Sequence, residues 1–135
     1  MKFLFDHNLS PHLARAIAAL SLPHNHTVIA LRERFPPSTK DADWLTELAK
    51  EGGWVVISQD RFKKGSLEKE AIRSSGLITF ILKKGWSNHD GWEKAHRLVR
   101  WWPRIIQQAE GVTGGAAFYV PLQFQGKGKF EAVQI

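Results

Sequence analysis

Residues 54–60 read Trp54-Val55-Val56-Ile57-Ser58-Gln59-Asp60, four apolar side chains in succession followed by polar residues and an acid. A run this continuously apolar does not suit a strand with one wet face; it belongs inside a parallel sheet covered by helices on both sides. The flanking sequence agrees. Upstream, Trp44, Leu45, Leu48 and Ala49 recur at helical spacing, with Thr39 or Asp41 as the cap and Gly52-Gly53 as the stop. Downstream, residues 66–75 read as a short helix closed by Gly76, and residues 77–82 as another buried strand.

The same alternation extends to both ends. Lys2-Phe3-Leu4-Phe5 is a short strand ending on Asp6. Ser10-Pro11 opens a helix, because serine caps a helix start and proline suits the first helical position. Leu13, Ala16, Ile17 and Leu20 form its apolar face, Pro23 ends it, and residues 27–31 make the next strand. Residues 88–110 are strongly helical, with Trp92, Ala95, Val99, Trp102, Ile106 and Ala109 on one face. Lys94, Arg97, Arg100, Trp101 and Arg104 lie elsewhere, and a kink is expected at Pro103. Residues 112–135 carry a last strand or hairpin, 115–120 and 130–135, around Gly126-Lys127-Gly128. Strands alternating with helices predict one α/β domain over residues 1–135 with a mainly parallel sheet.

Composition narrows the function. The 43% hydrophobic and 24% charged residues are ordinary for a globular domain and exclude a disordered chain. Cysteine is absent, which excludes disulfides and thiolate metal sites. The apolar runs fall far short of the ~20 residues of a membrane span, and Asp6 interrupts any signal-peptide core. The expectation is a cytoplasmic protein with no membrane segment. The formal charge is +6 with pI ≈ 9.8, and it is unevenly spread. Residues 1–60 hold six Lys/Arg and seven Asp/Glu, whereas residues 61–135 hold thirteen and six. A basic surface favours a polyanion, nucleic acid first.

In an open parallel sheet, ligands bind outside the carboxyl ends of the strands. Asp6 and Asp60 stand there. Asp41 begins a helix after a strand-to-helix loop that returns to the same edge, and Asp43 follows it. Taken singly, Asp41 is explained as a cap, Asp60 as a turn residue and Asp6 as a loop cap. Together, converging carboxylates repel one another unless a cation lies between them or their pKa values rise. All-oxygen ligation suits Mg²⁺ or Mn²⁺, ions that serve phosphodiester hydrolysis. Asn8 and Ser58 are placed to orient bound water or fix a carboxylate rotamer. Arg61, Lys63 and Lys64 are placed to meet the phosphates of an incoming strand.

The segments Phe3-Leu4-Phe5-Asp6-His7-Asn8-Leu9-Ser10, Lys40-Asp41-Ala42-Asp43-Trp44-Leu45 and Gly53-Trp54-Val55-Val56-Ile57-Ser58-Gln59-Asp60-Arg61, with Gly91-Trp92-Glu93, carry a family resemblance. In order and spacing they resemble the PIN-domain family of metal-dependent ribonucleases, in particular its short PIN-like branch related to VapC-type toxins. The resemblance implies a three-layer α/β/α fold that binds Mg²⁺ or Mn²⁺ and cleaves single-stranded RNA. It implies Asp6 as the first acid and Asp60 as a later one. The second is Asp41 on the Asp-x-x-Trp spacing, or Asp43. It also implies a toxin role, with a cognate antitoxin or a second copy of the chain as protein partners. The family often carries a further acid where this chain has Arg61, which leaves a three-acid site, weakened or with a single metal ion.

Other constellations are incomplete. His24-x-His26 lacks a third ligand at suitable spacing. No Walker motif, Gly-x-Gly-x-x-Gly or Gly-x-Ser-x-Gly is present. Two rivals to the nuclease remain: a non-catalytic nucleic-acid-binding module on the same fold, and a receiver- or phosphatase-like phospho-acceptor domain. Of the six tryptophans, Trp44, Trp54, Trp92 and Trp102 fit buried stripes. Trp86 and Trp101 are left as aromatics among cations, suited to stacking on bases or to a partner interface.

Overall fold

The apolar runs Lys2–Phe5 (β1) and Trp54–Gln59 (β3) lie side by side in a parallel ladder, with Phe3 opposite Val55 and Phe5 opposite Ile57. The computed structural model describes residues 1–59 and 75–133. On its other side β1 pairs with Thr27–Ala30 (β2), and β3 continues to Ile78–Leu82 (β4). Ala117–Val120 (β5) extends the parallel set, and the two-residue Glu131–Ala132 (β6) closes it antiparallel. The order is β2-β1-β3-β4-β5-β6. The expected helix at 66–75 falls, but for its last residue, outside the described residues.

Period-two alternation divides the sheet's side chains between two helical layers. Phe3, Phe5, Val55, Ile57 and Phe80 pack on the side of Pro11–Ser21 (α1) and Gly91–Gly111 (α3). Leu4, Trp54 and Val56 pack with Trp44, Leu45 and Leu48 of Asp41–Glu51 (α2) on the other. The protein is therefore a three-layer α/β/α fold with a mainly parallel sheet. Among the described residues, no helix is long and apolar enough to cross a membrane.

The helix starts follow the sequence in part. Ser10 Oγ accepts the His12 main-chain N–H at 3.1 Å, with Pro11 in the first turn. Neither Thr39 nor Asp41 caps α2: Lys40 occupies the cap position without a side-chain bond, and Asp41 is already helical. The buried ridge of α1 is Leu13, Ala14, Ile17 and Ser21, so Ala16 lies outside it and Leu20 is 56% exposed. Ser21 holds the fourth ridge position because its hydroxyl donates to the Ile17 carbonyl at 2.6 Å and accepts the Trp102 indole N–H at 2.9 Å.

The largest departure is the buried stripe of α3, which is Leu98, Trp101, Trp102, Ile105 and Ala109, with Pro103 inside the helix. Trp92 and Val99, expected inside, are 88% and 43% exposed. The cause is the tail. Residues 121–133 return over the helix and bring Phe124 and Phe130 to ring separations of 4.7 and 5.1 Å from Trp101. Arg100 and Arg104 lie over those same two rings. Trp86 is fully buried as well, its indole N–H donating to the Val120 carbonyl at 3.0 Å. The two tryptophans expected at the surface are inside, and of the four expected inside Trp44, Trp54 and Trp102 are buried while Trp92 is out.

Candidate active site

Successive connections leave β1 in opposite directions: α1 leads to β2 on one side, and α2 leads back past β1 to β3 on the other. The crevice between the carboxyl ends of β1 and β3 is thus the sheet's topological switch point, where open α/β sheets bind ligands. Asp6 and Ser58 close that crevice. The Asp6 main-chain N–H donates to the Ile57 carbonyl at 3.0 Å, extending the ladder one residue past β1. Alternation then sends Asp6 and Ser58 to the side of Leu4 and Val56, towards the α2 layer.

The Asp6 carboxylate is held on both oxygens. Oδ1 accepts the Asn8 main-chain N–H at 2.9 Å, and Oδ2 accepts the Ser58 hydroxyl. Asp6 is only 6% exposed and Ser58 is fully buried. A carboxylate so far out of water needs charge-assisted hydrogen bonds to offset desolvation, and these also fix its rotamer. Ser58 acts through its side chain, as its position suggests. Asn8 holds the carboxylate through its backbone.

Each helix leaves the carboxyl end of one strand and returns to the start of a parallel one, so α1, α2 and α3 all begin at this edge. Asp41 is in the first turn of α2, half-buried, and its Oδ1 accepts the Trp44 indole N–H at 3.0 Å. Trp44 is itself a core residue, so the Asp-x-x-Trp spacing is a carboxylate oriented by a buried ring. Asp43 is exposed. Asp60, Arg61, Lys63 and Lys64 lie outside the described residues. Among the described residues no three His, Cys, Asp or Glu side chains gather as a metal-ligating group. The donor chemistry, carboxylate oxygens without thiolates, fits a hard divalent cation that takes one or two protein carboxylates and keeps its waters. His24 and His26 form no such site: His26 Nδ1 lies 3.0 Å from the Met1 amino nitrogen.

Two residues at this edge escape the sequence reading. Lys94, in the first turn of α3, donates from Nζ to Gln59 Oε1 at 3.2 Å. Gln59 follows Ser58 and, by alternation, faces the α1–α3 layer. Beside it a groove of ≈ 620 Å³ opens between the starts of α1 and α3, lined by Asn8, Ser10, His12, Trp92 and Lys94 among others. The available signal was Asp90, whose side chain caps α3 through the Glu93 N–H at 2.9 Å and so fixes the first turn beside the strand ends.

No curated protein and no solved structure gave a significant match. A family model described as a PIN-like domain matches residues 1–84. The matched segment contains β1 to β4, the switch point, Asp6, Asp41 and Ser58, while α3 and the tail lie beyond it. With well over half of its length matched, across the strands and the crevice described above, the chain belongs to the PIN-like domain family.

Proposed function

We propose that this protein is a metal-dependent endoribonuclease acting on single-stranded RNA. The observation that carries the reading is the buried Asp6 carboxylate, held by Ser58 and the Asn8 N–H at the switch point of a PIN-like sheet. PIN-like domains have a nuclease-type fold, and a carboxylate fixed at this point is where such a fold would work. Asp6, Asp41 and Asp60 hold Mg²⁺ or Mn²⁺ in this proposal. Asp41 is preferred to Asp43 because the Trp44 indole orients it, whereas Asp43 is exposed. When bound, such an ion supplies a Lewis acid for the phosphoryl oxygen and lowers the pKa of the attacking water. The chain contributes a fixed first carboxylate, and Arg61, Lys63 and Lys64 meet the phosphates. The thirteen cations of residues 61–135 offset the repulsion between RNA and the acids.

The toxin role, with a cognate antitoxin or a homodimer as the protein assembly, extends the resemblance of the N-terminal motifs to VapC-type toxins. The test is incubation of labelled single-stranded RNA with wild-type, Asp6→Asn and Asp60→Asn protein in Mg²⁺, Mn²⁺ or EDTA. Wild-type protein cleaves only with metal, and Asp6→Asn loses roughly 10³-fold in rate, about 4 kcal/mol of barrier. Cleavage that survives EDTA or both substitutions overturns the reading. Metal-independent binding without cleavage points to the binding module, and labelling of Asp60 or Asp6 by acetyl phosphate to the phospho-acceptor.

A further inference from the structure

We propose that the groove between the first turns of α1 and α3 is a base-stacking subsite for the RNA strand, with Trp92 as its platform and Lys94 as its phosphate contact. The inference rests on the nuclease reading, and it names where the strand lies as it approaches Asp6.

Trp92 stands apart from every other tryptophan. The other five are at most 6% exposed, whereas Trp92 is 88% exposed at the mouth of the groove. The aromatic expected among cations at the surface is therefore supplied by Trp92, not by Trp86 or Trp101. Its surroundings suit a polyanion. Lys94 and His12 line the groove, and among the described residues no carboxylate does. The nearby acids of α3 are engaged locally: Asp90 caps the helix, and Glu93 pairs with Arg97 at 2.8 Å.

The groove is joined to the candidate acid at two points. Asn8 lines it and gives its N–H to Asp6; Lys94 reaches Gln59, the neighbour of Ser58, which holds the same carboxylate. The groove thus opens at the same carboxyl edge of β1 and β3 as Asp6 but on the α1–α3 side, and a strand with a base on Trp92 and a phosphate at Lys94 would cross that edge to reach the carboxylate. The groove combines apolar lining from Leu13, Ala16 and Ala95 with polar lining from Asn8, Ser10, His12 and Lys94, so a base stacked on Trp92 finds apolar surface while its ribose and phosphate find hydrogen-bonding and charged groups. Stacking is tolerant of base identity, so the subsite would position the strand without dictating its sequence.

Because the other tryptophans are buried, quenching of intrinsic emission reads Trp92 almost alone. The full chain is titrated in EDTA with oligouridylate and with an abasic ribose-phosphate strand of equal length. The subsite requires saturable quenching by the base-bearing strand and none by the abasic one. Trp92→Ala weakens oligouridylate binding roughly 5- to 100-fold, and Trp92→Phe restores most of it. Lys94→Ala lowers the slope of log affinity against log salt by about one. Leu22→Ala, exposed and outside the groove, leaves affinity unchanged. RNA that binds without altering emission, or equally well to Trp92→Ala, overturns the subsite and leaves the nuclease reading intact. Absence of both RNA binding and cleavage overturns the two together.

Discussion

The two ends of α3 use tryptophan in opposite ways. At its start, Trp92 projects into solvent beside the strand ends; nine residues on, Trp101 is 1% exposed and packed between Phe124 and Phe130. Both lie on one helix with aromatic and apolar residues on more than one side. The helical period alone therefore does not choose the buried stripe. The tail chooses it, by returning over α3 from Arg97 onward, where the Leu122 carbonyl accepts an Arg97 guanidinium N–H at 3.3 Å, and leaving Trp92 in the first turn exposed. The covered part is built for packing, and the first turn stands at the edge where the sheet presents Asp6.

The widest test of this contrast is stability. Trp101→Ala should cost about 3–5 kcal/mol, the range for truncating a buried aromatic. Trp92→Ala should stay within about 0.5 kcal/mol, as for an exposed site. Trp101→Phe should lose much less than Trp101→Ala, since the Trp101 indole N–H finds no hydrogen-bond partner among the described residues. Urea unfolding of the three variants measures this. Equal losses at positions 92 and 101 would break the contrast.

A smaller effect separates packing from positioning at the carboxyl edge itself. Ser58→Ala removes only a hydroxyl but leaves Asp6 with one fewer donor. Loss of a group that orients a metal-ligating carboxylate typically costs 10- to 100-fold. The proposed nuclease should therefore lose roughly that factor in kcat/KM, while Ser58→Thr, which keeps the hydroxyl, recovers part of it. Cleavage at the wild-type rate by Ser58→Ala would mean that the Asp6 rotamer is immaterial.

How legible these features were depended on how local their causes are. β1 and β3 could be read because a continuous apolar run that stops on polar residues suits little besides a strand buried on both faces. The position of Asp6 and Ser58 followed from those stops. The Asp-x-x-Trp spacing was visible as a pattern, and its reason, an indole N–H on the Asp41 carboxylate, is a contact three residues apart on one helix turn. Lys94 was not legible, because its partner Gln59 is thirty-five residues away in sequence. The stripe on α3 failed for the same reason, as the tail rings that bury Trp101 come from beyond the helix. On α1 a satisfied serine outcompeted Leu20 for the core, a choice that depends on Trp102 across the layer.

The smallest effect belongs to the opposite edge of the sheet. His26 precedes β2 at the amino ends of the strands, its ring edge-on to Phe3 at 6.1 Å. Burial lowers its pKa below the usual histidine value of 6.5, the Met1 ammonium and His24 lower it further, and Glu110 pulls the other way. The unfolded chain then binds a proton at His26 more readily than the folded one. By linkage, this stabilisation is present above about pH 6.5 and is lost as pH falls from there through the lowered folded value. Melting temperatures between about pH 5 and pH 8 should fall more steeply on acidification for wild-type protein than for His26→Asn. A steeper fall for the variant would reverse the sign and remove His26 as the cause. RNA cleavage at neutral pH should be the same in both, because the titrating ring and the Asp6 carboxylate lie at opposite ends of the strands.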